Sequence, residues 1–509
     1  MTDLPLSLGE RIMRPLLLVS CALLFLAIPL KIISYGYLPP DDALRHAAFA
    51  VDHRHWNEVL VFNPELRSEL DCHPGWHLFL RYIHQHLGLD QEGLAEFSII
   101  LAFLTFTCGG LIASGNPLAW LSAFALVAFT EYGMFQRLSL GRPTFLSMST
   151  LVVLLFMWSR PKPLRIWQEM LIAIAMLTVS FCMHPTVWYL WSMLGLALVL
   201  CKRWRAVFVL GISIVCSLCL AALIVGSWYN VLVASLLMLR YSLLQDPLVG
   251  TNLVSELQPS GGPIVGLLVV LSILFIKGLK GQNIRDEFSK ESFVLMLLTW
   301  VLGMKIVRFW LEWGLPAMSV WLCLQIKDLL KIKLSGLARV RDTLWLAGFL
   351  AGGLYLGITA DLMGRYTNNL KSPLLTKPVS DYAGELPEEG GVLYSTDMTI
   401  FYKIYFRIPN VKFRFSTGYE LGFMPPEDLK IFRAIQFNDN LLESYKPWFE
   451  KMTPKDRIII QVIMKPEWQG MEFKRFYTAW IGRKIEKAGD KDAPANSMAP
   501  EPKKEASKP

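Results

Sequence analysis

LPPDDALRHAAFAVDHRHWNEVLVFNPELRSELDCHPGWHLFLRYIHQH, residues 38–86, is a polar island between two apolar runs, 15–35 and 93–113. It holds seven of the chain's eight histidines (His46, His53, His55, His73, His77, His84, His86). The adjacent pair Asp41 and Asp42 opens it, and Asp52, Glu58, Glu65, Glu69 and Asp71 follow. Each flanking run has the length of a membrane span, about 20 residues. The fold therefore turns on whether this island is a loop held at a membrane surface.

Composition answers in favour of a membrane. Over 509 residues the chain is 53% hydrophobic and 18% charged, with a mean hydropathy of +0.39, too apolar for an ordinary soluble protein. The net charge of +8 needs no nucleic-acid partner, because its basic residues cluster between apolar runs as the positive-inside rule requires. Seven of the eight cysteines lie in or beside those runs, which excludes a disulfide framework. Cys216 and Cys219 form a CxxC on an apolar segment and read as small packing residues. The first apolar run is long enough to stay as a span rather than be cleaved as a signal peptide.

Further spans are expected near 117–133, 144–159, 166–183, 186–201, 204–226, 263–276, 292–309, 314–330 and 342–362, about 11 in all. Arg11 and Arg14 before the first span place the N-terminus in the cytoplasm. Arg160, Lys162 and Arg165, then Lys202, Arg203 and Arg205, then Lys277, Lys280, Arg285 and Lys290, and finally Lys327, Lys331, Lys333, Arg339 and Arg341 then share that side. Loop 38–91 faces outward, with 73–88 as an amphipathic helix along the interface. The expected fold class is a polytopic α-helical membrane protein: a transmembrane region over 1–362, a small outward α/β domain over 363–483 and a disordered tail over 484–509. Strands are expected in 390–397, 411–416 and 456–463, with helices near 397–405 and 426–435. The absence of Asn-x-Ser/Thr acceptor sites is compatible with a bacterial inner membrane with a periplasmic C-terminus.

Within the island, PPDD can start a helix, so Asp41 and Asp42 serve either as caps or as chemistry. Adjacent side chains on a helix diverge, which lets one carboxylate act as a general base while its neighbour pairs nearby. His73 and His77 have the i, i+4 spacing of paired metal ligands, and His53 and His55 could complete a divalent-ion site. The same histidines also suit an amphipathic surface helix. The partly apolar stretch 227–262 could cover a lipid, and Tyr419 and Glu420 in FSTGYELGFMPPED could contact an acceptor.

The order of these features resembles the GT-C superfamily of polyprenyl-phosphate-sugar-dependent glycosyltransferases, including the lipid A aminoarabinose transferases and protein O-mannosyltransferases. The resemblance spans residues 15 to 330 and rests on three motifs. DDALRHA (41–47) follows the first span; DCHPGWHLFLRYIHQHLGLD (71–90) leads into the second; MKIVRFWLEWGLPAMSVWL (304–322) lies near the late spans. The resemblance implies an inverting transfer from a polyprenyl-phosphate sugar to a lipid, glycan or protein acceptor amid membrane lipids. It makes Asp41 the base, Asp42 its acidic neighbour, and Lys305 and Arg308 the grip on the donor phosphate. Arg142 and Arg240 are further candidates for that grip, and Asp71 or His73 fills a second polar position. No cofactor is required, although a divalent metal ion has a place in the scheme. A flippase of lipid-linked glycans, or a non-catalytic component of envelope polysaccharide assembly, is the alternative.

Overall fold

The computed structural model describes residues 8–240, 264–333, 337–418 and 420–485. Tyr419, most of the stretch 227–262 and the tail beyond 485 lie outside the described residues.

The first helix, α1 (Leu8–Ile33), gives way through Gly36 to an extended segment that enters α2 (Asp42–Asp52). Pro74 opens α3 (Pro74–Leu87), and Gly88, at φ +66°, closes it in the left-handed conformation that glycine adopts without strain. Asp90 caps α4 (Gln91–Ser114) and Asn116 caps α5 (Pro117–Thr130), each by accepting a backbone N–H with its side chain. There follow α6 (Thr144–Trp158), α7 (Ile166–Met183), α8 (Trp191–Leu200), α9 (Trp204–Val225), α10 (Ile264–Leu279), α11 (Glu291–Lys305), α12 (Leu315–Lys333) and α13 (Leu337–Thr359).

Four helices among the described residues are long and apolar enough to cross a membrane: Met13–Ile33, Gln91–Ser114, Ile166–Met183 and Trp204–Val225. A fifth span results if Pro117–Thr130 and Gly133–Ser139, bent by 103°, count as one. The other ranges expected as spans are also helical: some are shorter or broken, while Leu315–Lys333 and Leu337–Thr359 are long enough but less apolar and carry several charged residues, so the structure supports four or five spans by length and composition. A 15-residue helix such as α6 rises only about 22 Å, against a hydrocarbon core of about 30 Å. Exposed Leu223, Phe349, Trp345 and Ile112 form an apolar outer surface suited to lipid.

At one end of the bundle the basic loops meet buried acids. Arg203 pairs with Glu291, and Glu287 receives Lys277, Lys290 and the side chains of Trp321 and Gln325. The 38–86 island lies with the C-terminal part of the chain. There α3 buries Trp76, His77, Leu80 and Ile83 and leaves Leu78, Tyr82 and Leu87 exposed, the two-sided character expected of it.

The C-terminal part holds a five-stranded sheet: β1 (Val392–Ser395), β2 (Arg414–Phe415), β3 (Arg457–Ile460), β4 (Met471–Phe476) and β5 (Ala479–Lys484), in the order β2-β1-β3-β5-β4. β1 runs parallel to β2 and β3, and β5 runs antiparallel to β3 and β4. The three expected strands and both expected helices, α14 (Met398–Arg407) and α15 (Pro426–Phe437), are present, and the hairpin β4–β5 was not anticipated. All of β3 is buried; Ile459 joins the core shared with α2, while Ile458 and Ile460 face the Trp448 cluster.

The island is stitched into this sheet. Val61 N–H donates to the Phe415 carbonyl at 2.8 Å, and Asn63 N–H donates to Phe423 at 2.6 Å, which covers the β2 edge. Arg54 grips both oxygens of Asp52 and donates to the carbonyls of Val411 and Pro409. Tyr405 of α14 donates its hydroxyl to Asp52 at 2.8 Å.

Candidate functional site

A cavity of about 720 Å³ opens where the island, the ends of several bundle helices and the C-terminal sheet meet. Its charged lining is Asp41, Asp42, Arg45, Arg137, Arg142, Arg308, Glu312, Asp397 and Glu420.

Asp41 stands at the N-cap position of α2, yet its side chain makes no capping bond. It turns to Arg142, whose Nη2 donates to Oδ2 at 2.6 Å. Asp42 diverges and accepts Arg45 Nε at 2.9 Å, with Arg142 Nε 3.4 Å from its other oxygen. Burial acts to raise the Asp42 carboxyl, but Arg45 and Arg142 outweigh it and hold the group well below the usual range. Arg142 reaches this place because Gly141, at φ +62°, turns the chain tightly against Ser98 and Ile99 of α4, where a Cβ would be crowded.

Arg308 comes from a break. The sequence predicts one span over 292–309, but α11 stops at Lys305, Ile306 is extended, and a short turn runs into a π-helical turn at Trp310–Gly314. Such widened turns concentrate at functional sites. Here the turn carries the buried Glu312 into the cavity wall, where it accepts Arg308 Nε at 2.8 Å and lies 3.9 Å from Arg137 Nη1.

From the C-terminal part come Thr396, Asp397, Tyr402 and Glu420. Burial pushes the Glu420 carboxyl up to about 7, against the partial opposition of Arg45 and Arg308.

The structure thus brings Asp41, Asp42, Arg142, Arg308, His73 and Glu420 to one cavity. Other residues singled out from sequence stand apart. Lys305 ends α11 with its side chain exposed and outside the cavity lining, because the helix breaks directly after it. Arg240 is exposed and also outside the lining. Asp71 is buried and occupied elsewhere, receiving His77 Nδ1 at 2.6 Å and the His73 N–H at 2.9 Å. Tyr419 lies outside the described residues.

The four histidines considered for a metal do not converge. His53 and His55 are exposed on the turn after α2, while His73 and His77 are buried. His77 has both ring nitrogens engaged, by Asp71 and by His46, and so offers a metal no lone pair. Among the described residues no three His, Cys, Asp or Glu side chains are placed to hold an ion together. Asp41 and Asp42 instead have arginines as counter-charges.

Sequence reading missed Arg45, His46, Arg137, His184 and Glu312. The available signal was DALRHA itself: Arg45 and His46 follow the acidic pair by one helical turn.

No protein-family model matches the chain, and no curated protein matches it. Among solved structures it is similar to the Archaeoglobus fulgidus oligosaccharyltransferase tethered with an acceptor peptide containing the NVT sequon. The TM-score is 0.48 at 12% identity, over 89% of this chain and 69% of that one. It is similar also to the oligosaccharyltransferase AglB from Archaeoglobus fulgidus in complex with an inhibitory peptide and a dolichol-phosphate. There the TM-score is 0.48 at 12% identity, over 89% and 70% of the two chains.

Proposed function

We propose that this protein is a GT-C-type membrane glycosyltransferase, moving a sugar from a polyprenyl-phosphate carrier to a lipid, glycan or protein acceptor on the outer face of a membrane. The observation that carries the reading is the gathering of two adjacent carboxylates and four arginines around one cavity beside helices suited to a bilayer. When a glycosyl–phosphate bond breaks, negative charge grows on the phosphate oxygens, and fixed guanidinium groups stabilise it.

The arginines are already paired with carboxylates, so an arriving phosphate competes with those partners. Displacing Asp41 from Arg142 would do two things at once. It gives the phosphate a guanidinium, and it releases a carboxylate to accept the acceptor's proton as the new bond to the anomeric carbon forms. Attack from the face opposite the departing phosphate inverts that carbon. Arg308 and Arg137, sharing Glu312, offer a second anion contact.

In this reading the N-terminus is cytoplasmic, the cavity and C-terminal sheet are periplasmic, and the membrane is a bacterial inner membrane. A flippase would need polar groups along a path through the bilayer; here the charged groups collect in the segments joining the helices and in the C-terminal part. The test is turnover of a panel of undecaprenyl-phosphate sugars by the purified chain, comparing Asp41→Asn and Arg308→Ala with the unmutated protein. Both substitutions should lower turnover at least a hundredfold, as loss of a proton acceptor or of an oxyanion contact does. Full turnover by both would defeat the mechanism.

A further inference from the structure

The C-terminal sheet meets the cavity at the crevice where its chain path reverses. From β1 the chain passes through α14 to β2 on one side, then through α15 to β3 on the other, and the three strands are parallel. The two helices cover opposite faces. Ile400, Phe401 and Ile404 of α14 share a core with Leu393 and Ile459, whereas Phe432 and Ile435 of α15 share one with Tyr394, Ile458 and Ile460. In a parallel sheet wound this way, ligands bind beyond the carboxyl ends of the strands, where the order reverses. That crevice lies between β1 and β3. Thr396 and Asp397 follow β1, Gln461 follows β3, and all three line the cavity.

Hydrogen bonds across the crevice fix what each group still offers. Asp397 caps α14, its Oδ1 accepting the Thr399 N–H at 2.8 Å and the Thr399 hydroxyl at 2.7 Å. Its Oδ2 accepts Gln461 Nε2 at 2.6 Å. A carboxylate only accepts, so the amide nitrogen of Gln461 must face it, and the amide oxygen of this exposed residue is left as an acceptor. Asn440 has the converse arrangement: its Oδ1 accepts the Tyr445 hydroxyl at 3.2 Å, and its amide nitrogen remains a donor. Gln436, in the last turn of α15, adds a third amide to the lining.

Charge is divided between the walls. Arg45, Arg137, Arg142 and Arg308 belong to the island and the bundle, and the charged lining from the C-terminal part is Asp397 and Glu420 alone. A phosphate is drawn to the first wall and repelled by the second, while an amine finds both Asp397 oxygens engaged. What the second wall offers is neutral donors and acceptors side by side, which match hydroxyl groups that both give and take a hydrogen bond. A peptide adding itself as a strand would need a sheet edge. Val61 and Asn63 already hold the β2 edge, and β4, the other edge, contributes nothing to the lining. We propose that the β1–β3 crevice is the acceptor subsite and that its acceptor is an uncharged glycan, whose hydroxyls meet Gln461, Asn440 and Gln436. This rests on the transferase reading.

The experiment titrates neutral oligosaccharides of hexoses, deoxyhexoses and N-acetylhexosamines against the full chain in a detergent without a sugar headgroup. Phosphorylated versions of the same glycans and short peptides are the comparison arms. At least one neutral glycan should bind, and more tightly than its phosphorylated version. Gln461→Met removes the amide at nearly constant length and should weaken that binding about tenfold, as loss of one or two hydrogen bonds does, with an unchanged thermal midpoint. Should that variant not fold, Gln436→Met reads the same subsite from another element. No binding by any neutral glycan, tighter binding of the phosphorylated glycans or of the peptides, or unchanged affinity in the folded variant overturns the glycan subsite. Undecaprenyl phosphate is titrated in parallel. Its failure to bind while a glycan still binds overturns the transferase reading and the acceptor role with it, and leaves the crevice as a glycan site.

Discussion

Replacing Glu420 by Gln should make the protein more stable in alkali and leave it nearly unchanged in acid. The carboxyl ionises near 7 in the folded chain, against an ordinary value of 4.5, chiefly because burial penalises its charged form. A group whose folded pKa is raised supports folding fully below the unfolded value, and that support is lost as pH rises toward the folded one. At pH 5 the folded carboxyl is protonated and the unfolded one is already mostly ionised, but pH 5 lies only just above the unfolded value, and the loss is still below about 1 kcal/mol. At pH 8 the folded carboxylate is ionised inside the cavity, and the loss approaches about 3 kcal/mol, less whatever water in the cavity recovers. Glutamine stays neutral and pays neither. Thermal midpoints of both proteins in detergent at pH 5, 6, 7 and 8 should diverge progressively, the variant higher, with most of the divergence between pH 5 and 7. A difference that is constant across this range would refute the assignment, because a packing effect does not follow the proton.

Three other outcomes follow from contacts already described. Arg54→Ala leaves the buried Asp52 carboxylate with Tyr405 as its remaining side-chain donor and frees the Val411 and Pro409 carbonyls. It should cost about 3 kcal/mol and expose the island to limited proteolysis near residues 53–66. Gly75→Ala would drive a Cβ into the Cys182 carbonyl at the end of α7, costing about 1–3 kcal/mol in the thermal midpoint, whereas Gly109→Ala, with nothing nearby, should be tolerated. Chelation by EDTA should leave donor turnover within about twofold, because Arg45 and Arg142 already neutralise the acidic pair.

What could be read from the residues was the periodic and the apolar. The 166–183 helix has the expected bounds because a predominantly apolar run, polar only at Gln168, Glu169, Thr178 and Ser180, satisfies its own backbone. Asp41 and Asp42 were legible as a divergent pair at a helix start, since that depends on local geometry alone. The stop at Lys305 was not legible, because Ile306 is as apolar as its neighbours and extends only through contacts made elsewhere in the fold. The β4–β5 hairpin was overlooked because Lys474, Arg475 and Arg483 mask an alternation in which Met471, Phe473 and Ile481 point inward. The contact between His46 and His77 joins residues 31 positions apart, which local spacing does not reveal.

The stitching of the island to the sheet has a consequence for how the protein is made. Arg54 and its acceptor Pro409 are separated by 355 positions. At synthesis rates of about 5–20 residues per second, the island waits tens of seconds before its partner segment exists. For that interval the α2 surface that will meet α14 and the segment that will cover β2 are unpaired and open to misassociation. The cavity is therefore a late product of biogenesis: helices can insert one after another, but the chamber closes only when its lining up to Gln461 has emerged.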